Sequence, residues 1–193
     1  KKLSRFLSTW PYVSGDAFVK LADLSIANFE DLRNCNETTV EKSRVIFVKG
    51  DLFPKFALQF QSVLNSKQKV ITGNSDMDFD EIPLPLRSLE FSWFVQNSSI
   101  LGDSRVTTIP IGIENISYGN HGRPRHLKVC KEFSTERVLF GPMGDTHNQR
   151  RMLLSSALNA QNIFFIPPNR LNHRRYVELS SNFKYVFCVR GNG

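Results

Sequence analysis

Short apolar runs alternate with longer segments of helical spacing along most of this chain. Residues 45–48 form a β-branched and aromatic run that predicts a strand. In residues 51–65 the apolar side chains recur at helical spacing, with a proline tolerated in the first turn. Residues 70–72 predict the next strand, which ends in a turn at residues 73–76. This alternation is typical of parallel βα units.

The following segment has a mixed pattern. Residues 77–85 are acidic and contain prolines, which indicates an irregular loop. Residues 86–96 predict a helix that carries Leu89, Trp93 and Phe94 on one face, although these aromatic residues would also suit a strand.

The alternation becomes clearer towards the end of the chain. Residues 106–110 predict a strand, and the polar stretch 118–125, with two glycines and a proline, is the best candidate for a linker. The elements predicted after it are a strand, a helix, a strand, a helix and a strand, at residues 138–140, 147–159, 163–166, 171–182 and 185–189. We therefore predict an α/β protein with Rossmann-like parallel sheets, divided into residues 1–120 and 121–193.

Composition narrows the classes of protein to consider. No run approaches the roughly 18 apolar residues of a membrane span, and the start of the chain lacks a secretory signal, so we expect a soluble cytoplasmic protein. Cys35, Cys130 and Cys188 lack metal-ligand spacing, which favours reduced structural thiols. The start without Met and the end within a glycine turn predict a fragment of a longer protein.

The net charge of +7 favours a polyanionic partner, either nucleic acid or a small phosphorylated ligand. The basic residues occur in short groups without the interleaved aromatics of a single-strand binding groove. One alternative is a basic α/β module that binds nucleic acid through Arg123, Arg125, Arg174 and Arg175. Each group is equally consistent with a solvated surface.

Two glycine-containing loops are candidates for phosphate binding. Gly141 and Gly144 lie between a predicted strand and the predicted helix 147–159, whose first turns contain Arg150 and Arg151. Free backbone N–H groups and a guanidinium at such a place suit a diphosphate. The second loop follows the last strand and consists of Arg190, Gly191, Asn192 and Gly193. An ordinary capped βα loop and a tight turn without a ligand are the alternatives.

Polar residues also follow two strands of the first half. Asn74, Ser75 and Asp76 come after the second of these strands, and Asp51 follows the first. These groups are candidates to bind sugar hydroxyls, or they cap the segments that follow. Asp76 and Asp51 are the two candidates for a general base. The sequence contains neither a metal-ligand pattern, nor a nucleophile elbow, nor a Walker A loop.

Several of these motifs together resemble those of exostosin-like glycosyltransferases and related sugar transferases of the GT-B fold. The motifs lie at residues 69–76, 93–97, 109–115, 138–141 with Arg150 and Arg151, and 187–193. The resemblance implies that the first domain holds a glycan or related acceptor, near Asn74, Ser75 and Asn97. The second domain would bind the diphosphate of a nucleotide-sugar donor through residues 141–151 and 190–193, with no metal and no other cofactor.

The chain departs from this family pattern at its end. In such enzymes the glycine turn is followed by a segment with an Asp, a His-Arg pair and a Trp-Glu pair, and this chain stops before it. We therefore expect an incomplete donor site and a weak or inactive catalyst, whose parent enzyme transfers a sugar to the acceptor. A sugar-recognition or assembly protein that kept the fold without the chemistry is a further alternative.

Overall fold

A computed structural model describes residues 12–116, 133–141, 161–166 and 171–187. By its internal contacts the chain divides into two compact units, Lys1–Tyr118 and Gly119–Gly193. Each unit contains its own parallel sheet. The predicted α/β class with Rossmann-like parallel sheets is confirmed.

The described helices are short, and side chains cap most of their first turns. Ser14, Asn28, Asn36 and Asn172 each accept a hydrogen bond from a backbone N–H in the first turn of the helix that follows. The helices are α1 (Gly15–Leu21), α2 (Phe29–Asn34), α3 (Glu37–Lys42), α4 (Phe53–Phe60) and α5 (His173–Ser180). Two 3₁₀ turns occupy Gly50–Leu52 and Leu84–Leu86.

Five strands form the sheet of the first unit, and each lies beside its neighbour in sequence. They are β1 (Leu24–Ile26), β2 (Val45–Lys49), β3 (Lys69–Gly73), β4 (Ser92–Val95) and β5 (Val106–Thr108), in that order across the sheet and parallel throughout. Because Ile46, Phe47 and Val48 are all fully buried, β2 is covered on both faces, as a central parallel strand requires. The edge strands β1 and β5 have three residues each, which limits the exposed edge.

An aromatic cluster joins α4 to the centre of this sheet. Phe53, Phe56 and Phe60 recur along the inner face of α4 and are at most 1% exposed. The ring of Phe53 lies 4.8 Å from that of Trp93 on β4, and Phe79 contacts Trp93 edge-on at 5.0 Å. Burial of each such ring stabilises the fold by roughly 1.5–3 kcal/mol, so this cluster fixes α4 on the sheet.

The described strands of the second unit are β6 (Thr135–Phe140), β7 (Ile163–Phe165) and β8 (Phe183–Phe187). All pairings are parallel and the order is β7-β6-β8, so the first strand lies between the two that follow it. The chain therefore leaves β6 towards one side and later returns to the other. Leu139, Ile166 and Phe183 form the buried core beneath these strands.

Two sequence-based expectations about elements were wrong, and one stretch had been left without an assignment. Residues 86–96 do not form a helix, because Trp93 and Val95 alternate with the less buried Ser92 and Phe94 in strand β4. The last predicted strand begins earlier, at Phe183, and its residues 184–187 are exposed instead of buried. The stretch before residue 45, for which no element was predicted, contains α1, β1, α2 and α3.

Candidate functional site

The carboxyl ends of β2, β3 and β4 meet at one edge of the first sheet. Lys49, the last residue of β2, is in register with Gly73, the last of β3, and Thr72 is in register with Val95 of β4. The residues that follow these strands therefore lie side by side. Parallel α/β sheets bind ligands at this edge.

A tight backbone turn follows β3. Asn74 has a φ of 54°, in the left-handed region that asparagine tolerates better than most residues. Its N–H donates to Oε1 of Gln96 at 3.0 Å. A Cβ atom on the preceding Gly73 would lie 2.3 Å from that same oxygen, so the close approach requires glycine.

Asp51 lies at the centre of a polar cluster beside this turn. One of its carboxylate oxygens accepts a hydrogen bond from the hydroxyl of Ser75, and the other lies 2.7 Å from Nζ of Lys49. These bonds, Lys49 first, hold the pKa of Asp51 below its usual value. An ionised carboxylate with both oxygens engaged suits the positioning of Ser75 and Lys49 better than proton abstraction.

Asn97 extends the cluster to β4. Its Nδ2 donates to the carbonyl of Ser75 at 2.8 Å. Three residues predicted for this edge, Asp51, Ser75 and Asn97, are thus joined by hydrogen bonds, and Asn74 adjoins them. Asp76 is exposed beside Ser75, and its assignment as a general base stays a prediction.

A second set of hydrogen bonds holds the other side of Asn74. Its Oδ1 accepts a hydrogen bond from Nδ2 of Asn115 at 2.9 Å, and Oδ1 of Asn115 accepts one from the N–H of Asp16 at 2.8 Å. Asp16 in turn accepts from the N–H of Ile116, while partial burial raises the pKa of its carboxyl group. Hydrogen bonds therefore connect the segment after β5 and the start of α1 to the turn after β3.

Sequence reasoning missed Gln96, Asn115 and Asp16. Gln96 directly follows a strand, as Ser75 nearly does, but it lay within a segment that was predicted to be helical. Asn115 closes the motif at residues 109–115, and Asp16 follows a Ser-Gly pair typical of a helix start. These signals are local, whereas the hydrogen bonds that these residues make join positions 22, 41 and 99 apart in the chain.

A shallow depression lies over this cluster. Polar and apolar groups alternate around it, and the one charged pair near it, Lys49 with Asp51, is balanced. Its lining consists of Gly50, Thr72, Gly73, Ser75, Met77, Phe79, Val95, Gln96 and Asn97. The residues that line the depression thus offer hydrogen-bonding groups, and none of them carries a charged side chain.

The predicted diphosphate site lies largely outside the described residues. Gly141 is described: it follows β6 with a φ of 96°, and a Cβ atom there would lie 2.5 Å from the carbonyl oxygen of Ile166. Glycine is thus required by both conformation and space. The other residues predicted for the site, outside the described part, are Gly144, Arg150, Arg151, Arg190, Gly191, Asn192 and Gly193.

The basic groups considered for nucleic acid are only partly described. In α5, Nε of Arg174 lies 3.1 Å from Oε1 of Glu178, so its charge is partly compensated, and Arg175 is exposed. Arg123 and Arg125 lie outside the described residues, as does the whole predicted linker. Cys35 is a free thiol.

Two kinds of feature are absent from the described ranges. Within them, no group of three or more His, Cys, Asp or Glu side chains is arranged to hold a metal ion. None of the helices described is long and apolar enough to cross a lipid bilayer.

Comparison with known proteins returned no family. No protein-family model matches the chain, and no curated protein matches it in sequence.

Proposed function

We propose that this chain is part of a glycosyltransferase of the GT-B type, which transfers a sugar from a nucleotide-sugar donor to a glycan or related acceptor. In this proposal the first unit contributes the acceptor side and the second unit contributes the donor side. The polar residues of the acceptor side are Asn74, Ser75 and Asn97.

The observation that carries the proposal is the strand order of the second sheet. Because β6 lies between β7 and β8, the chain passes from β6 to a neighbour on one side and later returns to the other side of β6. Open α/β sheets form their ligand crevice at such a switch point. Gly141 lies there directly after β6, and its positive φ brings the backbone into a turn without a side chain in the way. A diphosphate held by backbone N–H groups and arginines fits that position.

The uncharged lining of the depression in the first unit supports the acceptor assignment. A sugar acceptor presents hydroxyl groups that both donate and accept hydrogen bonds. The depression at the ends of β2–β4 offers amides, hydroxyls and a balanced ion pair, which suit such a partner better than an anion.

Calorimetric titration with UDP-sugars and GDP-sugars tests the donor assignment. We expect the double variant Arg150→Ala with Arg151→Ala to bind at least about tenfold more weakly, because each charge-assisted hydrogen bond is worth roughly 1.5–3 kcal/mol. The matched control is Arg174→Ala with Arg175→Ala, which removes the same charge from α5. It should leave nucleotide-sugar affinity unchanged.

Three results would contradict the proposal. One is equal affinity in the chain and in the Arg150/Arg151 variant, and another is equal weakening in both double variants. The third is binding of single-stranded or duplex nucleic acid, in place of nucleotide sugars, with an affinity that falls steeply with salt. That third result would favour the basic nucleic-acid module.

A further inference from the structure

Gln96 has a side-chain amide that is only half paired. It is 9% exposed, and its Oε1 accepts the N–H of Asn74 at 3.0 Å. Among the described residues, however, Nε2 of Gln96 has no hydrogen-bond partner although it is buried. A buried donor without a partner is uncommon in folded proteins, and it indicates a group that is satisfied by something else.

A second buried glutamine of the same sheet shows how the fold satisfies this side chain elsewhere. Gln68, before β3, is 1% exposed, and its Oε1 likewise accepts a backbone N–H, that of Asn65, at 2.8 Å. Its Nε2 donates to the carbonyl of Val40 at 2.8 Å. The two glutamines therefore differ in one bond, and the missing bond is the one at the edge where ligands bind.

The groups around Gln96 define the chemistry of a suitable partner. Gln96 lines the depression together with Thr72, Ser75 and Asn97. The hydroxyl of Ser75 is already engaged with Asp51, and Lys49 neutralises Asp51. The free donor thus lies among amide and hydroxyl groups without excess positive charge. Such a setting matches a neutral hydroxyl and gives an anion no counter-charge.

Met77 is the most exposed apolar side chain of the lining. It lines the depression, is 38% exposed, and its Cβ would lie 3.8 Å from a Cβ built on Gly50. A methionine side chain is unbranched and rotates about several bonds at little cost.

We infer that Gln96 is a specificity-determining residue, whose Nε2 donates a hydrogen bond to a hydroxyl oxygen of a neutral sugar acceptor bound at the ends of β2–β4. This inference rests on the proposed function, because it names the chemistry of the acceptor side. It gives a role to a residue that lies within the motif at residues 93–97 but was not among the predicted site residues.

Nuclear magnetic resonance on the whole chain tests the inference directly. The pair of resonances from the two Nε2 protons of Gln96 is assigned by its absence from the spectrum of Gln96→Met. The probes are glucose, galactose, mannose, N-acetylglucosamine and lactose, with inorganic phosphate as the anionic comparison. We expect the Gln96 pair to shift saturably with at least one saccharide and to stay unchanged with phosphate.

Gln68→Met is the matched control for the variant. Both substitutions remove a buried amide and one bond to a backbone N–H, but only Gln96→Met removes the free donor. Loss of one neutral hydrogen bond should weaken saccharide affinity roughly three- to tenfold in Gln96→Met. Gln68→Met should bind as the unmodified chain does. If Gln96→Met fails to fold, the pair is assigned by selective glutamine labelling and the titration of the unmodified chain decides.

The outcomes separate this inference from the proposed function. Shifts confined to the backbone amides of Ser75 and Asn97 would overturn the role of Gln96 and leave an acceptor site in place. A Gln96 pair that responds to phosphate alone would overturn the neutral-ligand assignment. If no saccharide moves any resonance of the first unit, the inference fails, while the calorimetric titrations with nucleotide sugars still decide the donor assignment independently.

Discussion

At the residue scale, the turn after β3 depends on side chains that the sequence alone does not bring together. Asp51 and Ser75 could be placed at one sheet edge, because each follows a strand with an apolar pattern, whereas Asn97 was assigned there by the family resemblance. Gln96 and Asn115 could not, since their contacts depend on the positive φ of Asn74 and on the direction in which each side chain leaves the backbone. The apolar pattern of the strands predicts which residues lie at the carboxyl edge of the sheet. The hydrogen bonds between those residues depend on the geometry of the turns.

Asp103 and Arg105 show a residue-scale effect that can be tested by pH. Two nitrogens of Arg105 bond both carboxylate oxygens of Asp103, at 3.0 and 2.7 Å. A further nitrogen bonds the carbonyls of Arg87 and Leu89, each at 2.8 Å. Arg105 therefore connects the start of β5 to the segment before β4. Its hydrogen bonds lower the pKa of Asp103 from 3.8 to about 2.

The lowered pKa gives a direction for the change in stability with pH. Asp103 is ionised in the folded protein at pH values where it is protonated in the unfolded chain, so its stabilisation is present above pH 3.8 and is lost as the pH falls towards about 2. Asp23 and Asp51, whose pKa values are also lowered, act in the same direction.

We expect urea unfolding to show stability falling below pH 4, with a smaller fall in Asp103→Asn. The measurement is the urea midpoint by circular dichroism across this pH range. Glu81→Gln, which changes an exposed acid in an ion pair with Arg87, is the control, because Glu81 lies outside the Asp103–Arg105 group. A midpoint in Asp103→Asn with the same pH dependence as in the unmodified chain would contradict the assignment.

At the element scale, buried strands were predicted more accurately than helices. The runs at residues 45–48 and 70–72 lie within β2 and β3, because a central parallel strand is apolar on both faces and its pattern is local. In residues 86–96, Leu86, Leu89 and Trp93 have helical spacing, yet the aromatic pair Trp93 and Phe94 forms part of a strand. The spacing of three or four residues arose there from a 3₁₀ turn followed by a strand.

The elements before residue 45 were missed for a different physical reason. Helices of six or seven residues contain fewer than two turns, so they carry little periodicity. Their capping residues are the detectable signal: Asn28 and Asp31 form a capping box, and Asn36 caps α3. A search for caps would have found what a search for apolar periodicity could not.

A buried hydrogen bond between β3 and β4 provides an element-scale prediction. Nε1 of Trp93 donates to Oγ1 of Thr72 at 2.9 Å, within the aromatic cluster. We expect Trp93→Phe to lower the free energy of unfolding by about 2–4 kcal/mol, because it removes volume and leaves the Thr72 hydroxyl without this bond. Thr72→Val should cost about 1–3 kcal/mol, because it leaves the indole N–H unpaired.

The double variant distinguishes the bond from the packing. If the bond joins the strands as described, Trp93→Phe with Thr72→Val should be more stable than the sum of the two single effects predicts, by about 1 kcal/mol. Urea denaturation followed by circular dichroism gives all three values. Strictly additive losses would mean that the bond contributes nothing beyond packing.

At the scale of the whole molecule, the two units have separate hydrophobic cores. The buried core of the first consists of residues between Ile26 and Val95, and that of the second of residues between Leu139 and Phe183. No described residue belongs to both. The sequence predicted two domains from the pattern of strands and helices. It could not supply the position of each core residue, because burial depends on which helices cover the sheet.

Separate cores predict that the first unit folds alone. We expect residues 1–118 to give a dispersed amide spectrum whose cross-peaks for β2, β3 and β4 coincide with those of the whole chain, because their packing partners all lie within that unit. The comparison uses ¹H–¹⁵N correlation spectra under identical conditions. A collapsed spectrum, or large shifts throughout these strands, would show that the first core depends on the second unit.

The strand order of the first sheet has a consequence for biosynthesis. Since every strand from β1 to β5 lies beside the one that precedes it in the chain, no strand has to wait for a distant segment to be translated. Each can dock on a partner that has already left the ribosome. The sheet can therefore grow from one side in the direction of synthesis, and its growing edge at any moment is the newly emerged strand.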